Sequence, residues 1–457
     1  MLRISNTLSG VKEDFEPYDP KQVRVYVCGI TPYAESHIGH GMSYVVFDVI
    51  RRYLEYRGYG VKVVQNFTDV DDKIIDRADT LGISAEELAG RYIDRFFEDM
   101  DLLHVRRADE YPRATQEVPS IVQMISGLID KGFAYHENGD VYFRVRSQPG
   151  YGKLSHRTLD GMVAGARVAV SETKEHPLDF ALWKSAKPGE PSWESAWGPG
   201  RPGWHIECSA MSLNYLGEAL DIHGGGQDLV FPHHENEIAQ SEAFTGVTPF
   251  AKYWMHNGLL RMGEEKMSKS TGNLVTIREV VESHGSDAFR VFVLMSHYRS
   301  PLSWSEEGLA SAGRATQRLV RAVSGPENGP VTERESGLEA QPFREQFEAA
   351  MDDDFNTSQA IAVLFDLARE INKASGRASE AQATLLELAG LLGLTLTGNE
   401  SDSNEAGPFI ELLIETRAAL RKERQFALAD QVRDRLIEMG VALEDTANGT
   451  EWGYRRS

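Results

Sequence analysis

Two short stretches carry residue types suited to handling phosphate. The first is CGITPYAESHIGHG, residues 28–41, in which His37 and His40 enclose Ile38 and Gly39. Gly39 and Gly41 would let backbone approach a ligand closely, and a helix start is already suited to anions. Two imidazoles there can donate hydrogen bonds to phosphate oxygens, most strongly as charge gathers in a transition state. The plainer reading is a capped helix start with two solvated histidines. The second stretch is EEKMSKSTGN, residues 264–273, with Lys266 and Lys269 in a Ser/Gly-rich loop. Such a loop can close over a polyphosphate and neutralise a departing pyrophosphate; alone, it would read equally as a basic surface loop. Both stretches in one chain, in this order, weigh against both plain readings.

A third set is Cys28, Cys208, His233 and Glu237: two sulfurs, one imidazole and one carboxylate. His233 and Glu237 are four apart on an expected helix and so share a face. Two thiolates with an imidazole and a carboxylate suit tetrahedral zinc. Against this, a buried free cysteine is usually a small hydrophobe, and four scattered positions lack the local spacing of a strong zinc motif. Spacing alone leaves both readings open. The run His233-His234-Glu235-Asn236-Glu237 does not supply the HExxH of a metalloprotease helix, which sets that reading aside. Gly224-Gly225-Gly226 with Asp228 follows a strand, where backbone can meet a nucleotide and a carboxylate can accept from ribose hydroxyls. An ordinary strand-end loop explains it as well.

Elements must position these residues. VRVYV (23–27) reads as a buried strand, the stretch from about 41 to 58 or 60 as a helix, and VKVVQNF (61–67) as a second strand. This β-α-β unit opens a parallel, nucleotide-binding-type sheet. Helical patterns run from 84 to about 131. Residues 139–203 are rich in Gly, Pro and Trp and read as an insertion between two halves of the first domain. ALDIHGGGQDLVF resumes the α/β pattern and leads into a helix near Pro232. From 305 onward the pattern is helical, interrupted by polar linkers beginning at 324 and 397. The expected plan is α/β, with a Rossmann-type parallel-sheet catalytic domain in two halves (1–138 and 204–304) around the insertion. A helical region (305–396) and a small C-terminal module (408–457) follow.

The chain's 457 residues predict two to four domains. Lys+Arg of 48 against Asp+Glu of 69 gives 48 − 69 = −21, which argues against indiscriminate coating of nucleic acid. No apolar run reaches 18 residues, so no membrane span is expected, and the N-terminal sequence does not read as a secretory signal. Two cysteines exclude a disulfide framework and point to a reducing, cytoplasmic setting. Arg314, Arg318 and Arg321 would form a basic stripe on one helix face, for RNA or simply for solvent. Arg433, Arg435 and Trp452 could pair with and stack on unpaired bases; a surface helix with one core Trp is the alternative.

At this point the chain resembles a known family. His37-Ile38-Gly39-His40 and Lys266-Met267-Ser268-Lys269-Ser270 match both signatures of class I aminoacyl-tRNA synthetases. VYVCG, NFTDVDDKI, RPGWHIECSAM, DIHGGGQDLVFPHHENEIAQSE and LEDTANGTEW are similar to the cysteinyl-tRNA synthetases, and the resemblance covers essentially the whole chain. It departs at Cys28-Gly29-Ile30-Thr31-Pro32-Tyr33, where the family more often reads Cys-Gly-Pro-Thr-Val-Tyr. That variant looks like the related ligase that joins cysteine to an aminosugar-inositol.

The resemblance implies an ATP-dependent ligase that makes cysteinyl-adenylate and passes the acyl group to the 3′ end of tRNA. His37, His40, Lys266 and Lys269 would neutralise charge. Gly39, His40, Gly225, Asp228 and Lys269 would bind ATP, which brings Mg2+. Thr68 and Trp204 would wall the amino-acid site, although a core role for Trp204 is an equal alternative. Zinc would sit on Cys28, Cys208, His233 and Glu237 and select the substrate thiol, the release of Glu237 on cysteine binding being left open. The long helical region favours tRNA over an aminosugar acceptor, and intact phosphate-handling motifs weigh against a non-catalytic RNA-binding relative. A monomer is the default expectation.

Overall fold

Four buried strands rich in β-branched residues hold the centre of the molecule, seen in a computed structural model. It describes residues 1–165, 174–262, 265–266, 274–324, 336–374, 377–397, 407–446 and 449–454. An antiparallel hairpin, β1 (Arg3–Asn6) and β2 (Val11–Asp14), precedes them. Then come β3 (Val23–Ile30), α1 (Ile38–Tyr56) and β4 (Val61–Phe67). β3 and β4 pair in parallel from Val23↔Val61 to Ile30↔Phe67, the expected β-α-β unit. β3 runs three residues past the expected end, which puts Cys28 inside the strand. The helix begins three residues earlier than expected because His37 caps it.

Beyond β4, α2 (Asp72–Leu81) was not expected; Asp71 caps its start and Gly82 ends it at φ +67°. The helical pattern expected from 84 to 131 is two helices, α3 (Ala85–Leu102) and α4 (Val118–Asp130). The chain between them leaves helix to cover the sheet edge: Gln65 N donates to Glu110 O at 3.1 Å and Phe67 N to Pro112 O at 2.9 Å.

The insertion is a four-stranded antiparallel sheet, ordered β5 (Ala134–Glu137), β6 (Asp140–Phe143), β7 (Phe180–Ser185) and β8 (Gly200–Pro202), with α5 (Leu159–Gly165) in one connection. β5 and β6 join through Asn138 and Gly139, at φ 54° and 91°. That is the two-residue hairpin turn favoured by Asn-Gly. The inserted sheet therefore starts at Ala134, and the boundary expected at 139 falls within its first turn.

The chain then returns through α6 (Trp204–Leu216), β9 (Leu220–Gly226), α7 (Glu235–Thr245) and β10 (Ala251–Asn257). Phe231 is extended (φ −141°, ψ 130°), so the helical turn starts at Pro232, as expected, and passes into regular helix at Glu235. The central sheet has the order β10-β9-β3-β4, all parallel. The chain builds outward first on one side of β3 and then on the other. The carboxyl ends of β3 and β9 thus flank the topological switch point, where open parallel sheets hold ligands.

A small sheet follows: β11 (Leu260–Met262) pairs with β12 (Glu265–Lys266) antiparallel and, beyond α8 (Ile277–His284) and α9 (Ser286–Leu294), with β13 (Leu302–Trp304) in parallel. The helical region comprises α10 (Glu306–Ser324), α11 (Gln341–Asp352), α12 (Thr357–Lys373) and α13 (Ser379–Leu391). Its Leu309, Leu364 and Leu385 belong to the same apolar core as Val25 and Val45. The N-terminal hairpin ties into this region, since Ser5 N donates to Asp354 Oδ1 at 2.8 Å.

The chain divides into two compact units, Met1–Leu396 and Thr397–Ser457. The second holds α14 (Gly407–Lys422), α15 (Phe426–Glu438) and the hairpin β14 (Val441–Thr446) with β15 (Gly449–Tyr454). Ile410, Leu436 and Val441 form its core, and Trp452 packs against them. Among the described residues, no helix is long and apolar enough to cross a membrane.

Candidate functional site

The end of β3 and the start of α1 carry the first motif. His37 Nδ1 accepts from Gly39 N at 3.1 Å, and His37 N donates to His40 Nδ1 at 3.3 Å. The two rings stack with centroids 3.8 Å apart. The histidines therefore both cap the helix and stand side by side at its positive end. Gly41 serves packing rather than ligand approach: a Cβ there would meet Leu103 and Phe289 at 3.0 and 3.1 Å. Gly29 is likewise needed for packing, since a Cβ there would lie 1.5 Å from the Asn66 carbonyl oxygen of β4.

The chain on both sides of the second motif is tied to the first. Upstream, a Cβ on Gly39 would sit 4.0 Å from Leu260. Downstream, Ile38 N donates to Val275 O at 3.1 Å, and His37 bridges Thr276. Lys266 closes β12 opposite Arg261. Lys269 lies outside the described residues.

A second cluster lies under the switch point. Cys28 Sγ is 3.8 Å from Cys208 Sγ and 3.5 Å from Glu237 Oε1. Glu237 Oε1 is 3.0 Å from His233 Nε2, and Glu237 Oε2 is 2.8 Å from His223 Nε2. All are buried. Of the four residues expected to hold metal, Cys28, His233 and Glu237 come together with His234, their ligand atoms within 4.8 Å of one another, while Cys208 stands outside that group, beside Cys28.

Burial should push the Glu237 carboxyl up, yet His223 and His233 hold it well below the usual range. Burial likewise opposes a charge on His233, but Glu237 and Cys208 raise it to about 10. Cys208, against the penalty of burial, is brought down to about 6 by the Cys28 hydrogen bond and by His233. A proton on His233 is thus favoured by two acidic neighbours, Glu237 and Cys208. A buried centre with two sulfurs, an imidazole and a carboxylate, and this demand for positive charge, fits a zinc ion.

Trp204 is not a core residue. It is 40% exposed and lies flat on His233, with ring centroids 4.2 Å apart. Thr68 is buried beyond β4, its N–H donating to Ile30 O at 3.1 Å. Gly225 leaves room for His234, which a Cβ would meet at 2.9 Å; Asp228 is exposed just beyond. Arg314, Arg318 and Arg321 are all exposed on α10, with Arg318 over the Phe365 ring at 5.3 Å. In the second unit Arg433 pairs with Asp434 at 3.0 Å and Arg435 is exposed, while Trp452 serves the core.

Residues 14–314 match the family described as the tRNA synthetases class I (C) catalytic domain, and residues 346–397 match the DALR domain. The cysteine–tRNA ligase of Dehalococcoides mccartyi is 57% identical over 459 residues, covering 100% of each chain. This chain belongs to the cysteine–tRNA ligase family. That of Carboxydothermus hydrogenoformans is 52% identical over 463 residues, covering 99% of each. The fold is shared with Mycobacterium tuberculosis methionyl-tRNA synthetase in complex with methionyl-adenylate, at TM-score 0.59 and 17% identity, over 86% of this chain and 94% of that one.

For this member of the family, sequence reasoning missed three histidines. His223 holds Glu237, and His205 Nδ1 lies 2.8 Å from His233 Nδ1. His256 Nε2 lies 2.7 Å from His234 Nδ1. Burial, with neighbouring imidazoles, depresses His205 and His256 to about 3. One signal was available: five of the chain's 13 histidines fall within residues 205–256.

Proposed function

We propose that this chain activates L-cysteine with ATP, releasing pyrophosphate, and passes the cysteinyl group to the 3′ end of tRNA. The observation that carries this reading is one strand–turn–helix that bears both a capped histidine pair and Cys28, the latter reaching a buried centre completed by α6 and α7, at the switch point of a parallel sheet. His37 and His40, at a helix start, would meet the phosphates and stabilise charge as the carboxylate attacks. Lys266 and Lys269 would neutralise pyrophosphate, with Mg2+ accompanying ATP. Gly39, Gly225 and Asp228 would receive the nucleotide, and Thr68 and Trp204 would bound the amino acid. No side-chain nucleophile is needed, because such transfers rest on positioning and neutralisation.

Cys28, Cys208, His233 and Glu237 would hold zinc. A zinc ion there supplies a soft Lewis acid that favours a substrate thiolate over serine's hydroxyl. An apolar pocket alone separates such near-isosteres poorly. The test is cysteine-dependent ATP–pyrophosphate exchange, run beside serine, followed by charging of tRNA and of an aminosugar acceptor. Exchange with cysteine and charging of tRNA alone is expected; equal exchange with serine, or charging of the sugar, would overturn the reading. In cobalt-substituted protein, cysteine should raise the sulfur-to-metal absorption and serine should not.

A further inference from the structure

The two residues proposed to bound the amino acid come from different parts of the chain. Thr68 follows β4, whereas Trp204 opens α6 directly after β8, the last strand of the inserted sheet. Each is fixed to its own side. Thr68 N donates to Ile30 O at 3.1 Å, and the next residue, Asp69, accepts from Thr115 N at 2.9 Å and from Thr115 Oγ1 at 2.6 Å. On the other side, Gly203 N donates to Leu182 O at 2.8 Å, and a Cβ on Gly203 would lie 2.0 Å from the Ala181 carbonyl oxygen. Gly203 caps α6 without a side-chain hydrogen bond, so the strand before it places the first turn of that helix. The spacing of Thr68 from Trp204 therefore depends on how the inserted sheet is held against the catalytic half.

An ion cluster spans that joint. Asp72, the first residue of α2, lies four positions beyond Thr68. Arg201 Nη2 on β8 donates to its Oδ1, and Lys184 Nζ on β7 donates to its Oδ2 at 2.7 Å. Lys184 and Arg201 are direct partners in the β7–β8 register, so two adjacent strands grip both oxygens of one carboxylate. The Arg201 side chain is only 4% exposed, and its Nε lies 3.5 Å from Glu190 Oε2, within the insertion. Desolvation works against the Asp72 charge, but Lys184 and Arg201 hold its pKa below the ordinary value. A guanidinium this buried is stable only while its carboxylates stay in place. Arg201 thus ties Glu190 of the insertion to Asp72 of the catalytic half.

We propose that Arg201 is a positioning residue of the amino-acid site: paired with Asp72, it fixes the inserted sheet, and with it Trp204, at the distance from Thr68 that suits cysteine. Without the pair, the Trp204 side of the site shifts while the nucleotide side, built on α1 and β9, does not. The cost falls on cysteine binding and spares ATP.

This inference rests on the proposed cysteine activation, and the experiment separates the two. Full-length wild type, Arg201→Met, Asp72→Asn and the double variant are compared in cysteine-dependent ATP–pyrophosphate exchange. Each single variant should raise the cysteine KM about tenfold, with kcat and the ATP KM within about twofold of wild type, the split left by lost ground-state binding. The double variant should be no worse than the more affected single variant, because both changes remove one pair. The Asp72 side chain is half-exposed, so Asp72→Asn tests the pair even where folding requires the buried Arg201. A wild-type cysteine KM in Asp72→Asn overturns the role of the pair. So do equal rises in the cysteine and ATP KM, or additive losses in the double variant, since a general disturbance or separate roles would then be responsible. Wild type without cysteine-dependent exchange overturns the proposed function itself.

Discussion

Arg290 and Asp48 meet at 2.6 Å with neither side chain exposed. The guanidinium also donates to Leu103 O at 2.8 Å and to Leu392 O at 2.9 Å, so one residue of α9 joins α1 to the ends of α3 and α13. Removing one partner leaves a buried charge and open carbonyls. Arg290→Met should lower the free energy of unfolding by about 3–5 kcal/mol, measured in urea. A loss below about 1 kcal/mol would show that the pair is dispensable. Burial works against the Asp48 carboxylate, but Arg290 and Arg52 hold its pKa below the ordinary value. Its contribution is therefore full above pH about 4 and is lost as pH falls through the depressed value. Arg290→Met should flatten that acid-side slope.

Asp99 behaves oppositely. It is buried on α3, its Oδ1 without a hydrogen-bond partner among the described residues and Arg278 Nη2 3.6 Å away, and burial raises it to about 6. The folded state then holds its proton more tightly than the unfolded chain, so stability falls as pH rises from about 4 to about 6. Asp99→Asn should gain about 1 kcal/mol at pH 7, allowing for screening, and nothing at pH 4. Equal shifts at both pH values in chemical denaturation would assign the effect to packing instead.

The fourth metal position can be read from zinc content. Cys208→Ala should purify with well under half an equivalent of zinc, whereas His234→Gln should keep nearly all of it. The reverse pattern by elemental analysis would put His234 into the ligand set.

Lys269→Ala should slow adenylate formation by roughly two to three decades, the scale for one transition-state donor. The change in ATP KM should be smaller, because the contact tightens as pyrophosphate leaves. An unchanged single-turnover rate would remove Lys269 from the reaction.

Deleting Thr397–Ser457, the second compact unit, should leave cysteine-dependent exchange nearly intact and impair tRNA charging. Loss of exchange in a truncated protein that still shows wild-type circular dichroism would tie this unit to adenylate formation.

What the sequence disclosed follows from where its information is local. β3, α1 and β4 are continuous apolar patterns with glycine stops, so their pairing was readable. The inserted sheet was not, because β8 is three residues long and its core depends on Trp183 and Leu182 meeting α4 across the fold. Helix α7 misleads in the other direction. ENEIAQSE is polar on every side, yet Glu235 to Ala243 are all buried. Glu235 survives there by accepting from Gly152 N and Ser155 N at 2.9 and 2.8 Å. The metal set was assembled from residue types and resemblance. His223 and His256 escaped because each matters only through a partner elsewhere in the chain, Glu237 and His234.

The tie between Ser5 and Asp354 spans 349 positions. At roughly 5–20 residues per second of synthesis, the N-terminal hairpin waits on the order of half a minute for that anchor. Thr7 waits less, since its N–H donates to Trp254 O and its end of the hairpin is held once β10 has been made. The first residues to be translated are thus fastened in two stages, to β10 and then to Asp354. The members of the sulfur centre, Cys28 to Glu237, are all synthesised before Asp354, so that last tie closes on a chain in which every one of them is already present.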